Sequence, residues 1–341
     1  MLARAFRQFY ERLDDKTDVF YMFFTSGLLH FVAKAVALVP ETTNLALIGA
    51  GLTADEISWI ERHLRRPLHA IPTRTDDKAI WECLFEVSEQ NFGWLDVDCF
   101  VTNPALFREM ATIDDDVAIN CTWSYPGPGG RDILRTYFVF LNVAVIRAVQ
   151  RVVSVSPMPY SYAPMARDRS HPTLPTKPLT PEHVRLLRMV LPSNEAGLPA
   201  YPRDVTSRFH YGGFDTLVVY QLMASALGYK VNKVRCLSGI SGVREAYSPE
   251  LFHVGAVSSY KSFRDEPYEE YQYFYRMILQ LDYLLLSESG RDFPVQYDAL
   301  RRDAHCELDR LGISPENARQ AIQRFVESVG AAYSALALQS C

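Results

Sequence analysis

Three short apolar runs dominate the first 75 residues: "DVFYMFFTSG" (Asp18 to Gly27), "NLALIGAG" (Asn44 to Gly51) and "LHAIPT" (Leu68 to Thr73). Between them lie two stretches of helical character. "LLHFVAKAVALVP" is stopped by Pro40, and "TADEISWIERHLRRP" carries Ile57, Ile60 and Leu64 on one face. Strands joined by single helices lie parallel in one sheet with the helices over its faces. This alternation predicts an α/β fold with a mostly parallel central sheet flanked by helices.

Further along, a helix is expected from about Asp77 to Glu89, then a buried strand in "FGWLDVDCFV" and another core strand in "TYFVFLNVAVIRAV". Half of the 20 prolines fall between Pro157 and Pro202, around one short helix capped by Thr180 with Pro181 at its first position. "FDTLVVYQLMASALG" reads as an apolar helix, followed by strands near "YKVNKV" and "ELFHVGAV". From Glu266 the pattern is helical.

With 341 residues, 48% of them hydrophobic, the chain can bury a large core. A net charge of −5 supplies no basic field for a nucleic acid backbone. Six cysteines, without CxxC pairs, favour reduced thiols and a cytoplasmic location. The run from Tyr21 to Val39 is interrupted by Gly27, His30 and Lys34, so no integral membrane segment is expected.

Gly49, Gly51 and Ala54 are spaced as in a dinucleotide-binding turn, which opens one alternative: an NAD(P)-dependent oxidoreductase. Against it, Thr53 and Glu56 form a T-x-x-E capping box. Asp55 and Glu56 also put two carboxylates where a pyrophosphate would sit.

A stronger chemical signal is "WLDVDCFV", where Asp96 and Asp98 flank Val97 within an apolar segment. If the chain is extended there, both carboxylates point to one side. Burying two acids together is costly unless a cation neutralises them, and hard carboxylate oxygens suit Mg²⁺ or Mn²⁺. A second acidic run, Asp114-Asp115-Asp116, lies in a polar context and reads as a helix cap or the lining of a solvated turn. In "LFHVGAVSSYK", His253 follows two apolar residues, Gly255 permits close backbone approach and Lys261 is long enough to reach a phosphate.

These elements, in this order, resemble the A-type nucleotide-sugar glycosyltransferases, particularly the retaining group that includes glycogenin and bacterial lipopolysaccharide galactosyltransferases. The resemblance covers roughly Val19 to Lys261. It rests on a first strand ending in Thr25-Ser26, the DxD in "LDVDCFVTNPALF", "FLNVAV" with Asn142, "YGGFDTL" with Gly212, Gly213 and Asp215, and "HVGAVSSYK". The spacing departs from that family's pattern: Gly255 and Lys261 stand two and eight residues after His253 rather than three and six, Thr216 replaces a glutamine, and no Ser-Gly follows Asn142.

The resemblance implies a Rossmann-like A-type fold with a helical C-terminal extension. A catalytic domain would span 1–265, with a nucleotide-binding half at about 15–150 and an acceptor half at about 151–265 that includes the proline-rich excursion 155–203. The extension would span 266–341. The implied activity is metal-dependent transfer of a sugar from a nucleotide-diphosphate-sugar, a UDP-sugar in the first instance, to a hydroxyl-bearing acceptor. Asp96, Asp98 and His253 would hold Mn²⁺ or Mg²⁺, and Thr25, Ser26, Lys78, Asp96, Asn142 and Lys261 would contact the donor. Asp215 would act on the sugar or the acceptor hydroxyl, although it also reads as a helix first-turn acid. A decayed, non-catalytic binding module is the other alternative. Trp81 and Trp94 read as core.

Overall fold

The run at Asp18 forms a strand buried along most of its length, as a continuous apolar segment in a sheet covered on both faces must be. In the computed structural model, which describes residues 2–162, 176–200, 213–236, 246–248, 250–288, 292–324 and 327, helix α1 (Leu2–Glu11) precedes this strand, β1 (Val19–Thr25). Then follow α2 (Leu29–Leu38), β2 (Leu45–Ala50), α3 (Ala54–His63), β3 (Leu68–Ile71), α4 (Asp77–Val87), β4 (Phe92–Leu95), β5 (Cys99–Val101) and α5 (Ala105–Ala111). The middle of the chain contains β6 (Val117–Cys121), β7 (Ser124–Pro126), β8 (Asp132–Leu134), β9 (Phe138–Leu141), α6 (Val143–Val152), β10 (Tyr160–Ser161), β11 (Lys177–Pro178) and α7 (Pro181–Val190). The last described elements are α8 (Val218–Ala226), β12 (Lys230–Lys233), β13 (Ala246–Ser248), β14 (Leu251–His253), α9 (Glu269–Leu286) and α10 (Gln296–Arg310).

The main sheet has seven strands in the order β12-β6-β9-β4-β1-β2-β3. Its β1–β4, β2–β3 and β6–β12 pairs are parallel, whereas β6 and β9 are antiparallel. The chain divides into two compact units, one of residues 1–21, 76–94 and 108–236, the other of 22–75, 95–107 and 237–341.

These findings correct the expected Rossmann-like A-type fold with a mostly parallel sheet and a helical C-terminal extension. The architecture is α/β, but the sheet is mixed and the chain makes two units rather than one catalytic domain with an appendage. Helices α9 and α10 belong to the same unit as α2 and α3. The reason lies in α2, which is apolar almost all round and buried. One of its faces is covered by tail residues: His30 pairs with Asp282 of α9, and the Leu29 amide donates to Tyr297 of α10. The central part of the proline-rich excursion, and Gly212, lie outside the described residues.

In the first unit, Trp81 and Trp94 are buried with ring centroids 4.5 Å apart, and Phe20 packs on Phe138 and Phe140. Helix α7 starts with its capping Thr180 and Pro181, and the cap is completed by a histidine. His183 Nδ1 accepts from the Thr180 amide and its Nε2–H donates to the Ser154 carbonyl. Burial pushes the His183 pKa down, and the bond to Ser154 only partly opposes this.

A depressed folded-state pKa means that the unfolded chain binds the proton more readily. The contribution of His183 to stability is therefore complete above about pH 6.5 and is lost as pH falls through the lower folded-state value. Urea midpoints measured from pH 7.5 down to pH 5 are expected to fall less steeply for His183→Gln than for the parent. Parallel pH profiles would contradict this role.

Candidate metal and donor site

The segment "FGWLDVDCFV" is two strands rather than one. Strand β4 ends at Leu95, residues 96–98 turn, with the Cys99 amide donating to the Asp96 carbonyl at 3.0 Å, and β5 leaves for a different sheet. The two acids therefore share a side because of a turn and not because of an extended chain. Strand β5 pairs antiparallel with β14, setting His253 opposite Cys99, one residue from Asp98. Glu250 fixes that register by accepting from the Thr102 and Asn103 amides at its carbonyl and from Asn103 Nδ2 at its carboxylate.

The segment after His253 closes around Asp98. Gly255 and Ala256 both adopt positive φ, +72° and +56°, which turns the chain back sharply. The Val254 amide donates to the Asp98 carbonyl (3.1 Å) and the Val257 amide to Asp98 Oδ2 (3.3 Å). With Oδ2 so engaged, Oδ1 stands 3.4 Å from His253 Nε2, and Asp96 Oδ2 stands 3.8 Å from the same nitrogen.

One ligand atom from each of Asp96, Asp98 and His253 lies within 4.8 Å of the others. Asp98 is buried and Asp96 half-buried, so a cation can be reached from one side. Two hard oxygens, one imidazole nitrogen and a backbone amide orienting a ligating carboxylate fit a divalent ion such as Mn²⁺ or Mg²⁺. The 3.4 and 3.8 Å separations are within twice a metal–oxygen bond of about 2.1 Å. Burial, with Asp96 and Asp98 nearby, drives the Cys99 thiol pKa well above its ordinary value, so Cys99 stays a protonated core residue beside the site.

Glu56 anchors a second polar group in the same unit. Its buried carboxylate accepts from the Thr53 amide (2.9 Å), the Gly27 amide (2.8 Å), Ser26 Oγ (2.8 Å) and Tyr297 Oη (2.7 Å). Burial raises its pKa, but the Thr53 and Gly27 amides together with Tyr297 and Ser26 outweigh that and hold it below the ordinary carboxylate range. The capping box is present, so the first amides of α3 meet the protein's own side chains.

Of the glycines of the apparent dinucleotide turn, one sits against a side chain and the other adopts a backbone conformation that L side chains rarely take. A Cβ at Gly49 would lie 2.3 Å from Leu52 Cδ1, and Gly51 has a φ of +65°. Spacing marks Glu56 as a cap, but nothing local in the sequence marks Tyr297 as its partner.

Thr25 and Ser26, at the exit of β1, are half-buried, and Lys261 is exposed on a short 3₁₀ turn with Nζ 5.9 Å from the Tyr260 ring centroid. The remaining candidates belong to the first unit. Asn142 caps α6, accepting from the Val145 amide and donating to the Asp114 carbonyl. Lys78 is buried with Nζ 3.1 Å from Asp77. Burial alone would lower its pKa, but Asp77, Asp76 and Asp215 outweigh that and raise it. Asp215 sits just before α8, which begins at Val218, later than the apolar pattern implies. Its Oδ1 accepts from the Thr216 amide.

Residues 1–146 match the family model of the StrH glycosyltransferase N-terminal domain. A dTDP-dihydrostreptose–streptidine-6-phosphate dihydrostreptosyltransferase of Streptomyces griseus is 27% identical over 357 residues, covering 96% of this chain and 91% of that protein. Among solved structures, the glycosyltransferase GlyE of Streptococcus pneumoniae is 10% identical with a TM-score of 0.29, and this chain spans 39% of its length. A Leptospira borgpetersenii cytidylyltransferase is 8% identical with a TM-score of 0.28, 41% of this chain and 66% of that one being covered.

The chain is a glycosyltransferase-type enzyme related to nucleotide-sugar transferases. The matches do not single out the glycogenin and lipopolysaccharide galactosyltransferase group. Among the described residues no helix is long and apolar enough to cross a membrane.

Proposed function

We propose that this enzyme transfers a sugar from a nucleoside-diphosphate-sugar to a hydroxyl of its acceptor with the help of Mn²⁺ or Mg²⁺ held by Asp96, Asp98 and His253. The observation that carries the proposal is the convergence of these three side chains at the carboxyl end of β4. Ligand sites in open α/β sheets lie at such strand ends. When bound, the ion supplies positive charge opposite the diphosphate that departs.

The protein's own contribution is placement. The Val257 amide aims Asp98, the β5–β14 register presents His253, and Lys261 offers an exposed ammonium to the same leaving group. Asp215 is proposed as the carboxylate that steadies the electron-poor sugar or takes the acceptor proton. Lys78 and Asn142 are proposed as donor contacts on the strength of the sequence resemblance.

The likeness to the dihydrostreptosyltransferase makes a dTDP-sugar the first donor to test, ahead of a UDP-sugar, and streptidine 6-phosphate the first acceptor. A cytoplasmic location is proposed from the cysteine pattern. Mn²⁺ and dTDP together are expected to raise the melting temperature more than the sum of either alone, since each ligand holds the other. Transfer from a dTDP-sugar should follow. If neither dTDP nor UDP shifts melting with Mn²⁺ present, the proposal is wrong.

A further inference from the structure

The order of the main sheet contains a topological switch point. From β1 the chain runs outward to β2 and β3, then returns to the other side of β1 to form β4. Strands β1 and β4 are parallel, and ligands of open α/β sheets settle beyond the carboxyl ends of such a pair. One carboxyl end carries Asp96 and Asp98, and the other carries Thr25 and Ser26. Tyr21 stands opposite Trp94 near the carboxyl end of β4.

A serine hydroxyl has one proton to donate. Ser26 spends it on Glu56 Oε2, and the Ser26 amide is spent on the Ala50 carbonyl. What the half-buried hydroxyl can still offer is lone pairs. Phosphate oxygens, which only accept, gain nothing from it, and the carboxylate 2.8 Å behind it repels them. A nucleoside, by contrast, brings hydrogen-bond donors: an imide N–H on thymine or uracil, and hydroxyls on its sugar.

Glu56 is itself held by Tyr297, whose hydroxyl donates to Oε1 at 2.7 Å and accepts from the Leu29 amide at 3.1 Å. Both Ser26 and Gly27, the residues that turn the chain out of β1, hang from this one carboxylate.

We propose that Glu56, locked by Tyr297, is a positioning residue that turns the Ser26 hydroxyl into an acceptor-only contact for an N–H or O–H donor of the donor substrate's nucleoside. This rests on the nucleoside-diphosphate-sugar reading above and specifies which end of that ligand meets β1. It also assigns the C-terminal helix α10 a part in nucleotide recognition, because Tyr297 is its contribution to the turn.

The test compares dTDP with N3-methyl-dTDP and with 2′,3′-dideoxythymidine diphosphate, all with Mn²⁺, by calorimetry on the full chain. The parent is expected to bind one analogue about tenfold more weakly than dTDP, the penalty for leaving a buried acceptor unmatched. The analogue affected tells whether the base imide or the sugar hydroxyl is the partner. Ser26→Ala should shrink that penalty to within about twofold. Glu56→Gln, whose NH2 must face either the Thr53 or the Gly27 amide and so cannot hold the turn and the Ser26 proton as the carboxylate does, should do the same and raise the donor KM while kcat at saturating donor changes little.

A purely structural Glu56 would instead lower the melting temperature and leave the analogue penalty at its parental value, which overturns the inference. Equal binding of all three diphosphates by the parent overturns it too, while leaving the donor class intact. Absence of any diphosphate binding overturns both.

Discussion

Replacing Asp96 and Asp98 together by asparagine is expected to abolish Mn²⁺ binding and lower sugar transfer by about 10³-fold or more. Oriented charge at a developing anion is worth roughly 10² to 10³ per contact, and a bound ion several kcal/mol. The asparagine pair removes the anionic ligands while keeping an acceptor for the Val257 amide, so the turn around residue 98 should persist. Folding offers an independent readout.

The double variant should lose the rise in melting temperature that Mn²⁺ is expected to give the parent. Transfer at the parental rate by the double variant would show that the ion, or the chemistry, lies elsewhere.

The second large effect is expected at Asp282, in the middle of α9. Its Oδ1 lies 2.5 Å from His30 Nε2 and its Oδ2 accepts from the Tyr260 hydroxyl at 2.7 Å, all three residues being buried. Burial, with Asp282 beside it, keeps the Tyr260 phenol protonated far past its ordinary range, so it stays a donor to Asp282.

Truncating Asp282 to alanine strands two buried polar groups at once, each worth about 1–3 kcal/mol. The expected loss is about 2–5 kcal/mol, comparable to breaking a buried pair. Urea denaturation checks this directly. Coupling is checked by adding His30→Ala, which should cost less in the Asp282→Ala background than alone, because its partner is already gone. A change within about 0.5 kcal/mol for Asp282→Ala would place α9 as a loosely attached appendage, contrary to its packing on α2.

Much of the local structure was legible in the chain. The strands at Val19, Leu45 and Leu68 stand where the apolar runs put them, and the Thr53–Glu56 box and the Thr180–Pro181 start of α7 form as their spacing requires. Asp96, Asp98 and His253 were nominated from residue type, and they do meet. The route to that meeting was not legible. An apolar run broken by two acids looks continuous until a second sheet claims its latter half, so Cys99–Val101 pairs with Leu251–His253 instead of extending β4.

The antiparallel β6–β9 pair was hidden for a related reason. Strand direction depends on where the chain returns, and alternation over the first 75 residues says nothing about the strands beyond.

By itself, then, the sequence determined where many of the strands and helices lie, how several helices are capped, and which side chains have metal-binding chemistry, because these depend on neighbours a few residues away. It did not show that "TYFVFLNVAVIRAV", read as one core strand, divides into strand Phe138–Leu141 and helix Val143–Val152. Only the tertiary structure decided that the tail helices join the unit of α2, that the sheet is mixed, and that Glu56 and Tyr297 hold the exit of β1. Those contacts join residues as far as 268 positions apart. No period or spacing along a chain encodes them, because burial and hydrogen-bond satisfaction select such partners only once the whole unit has closed.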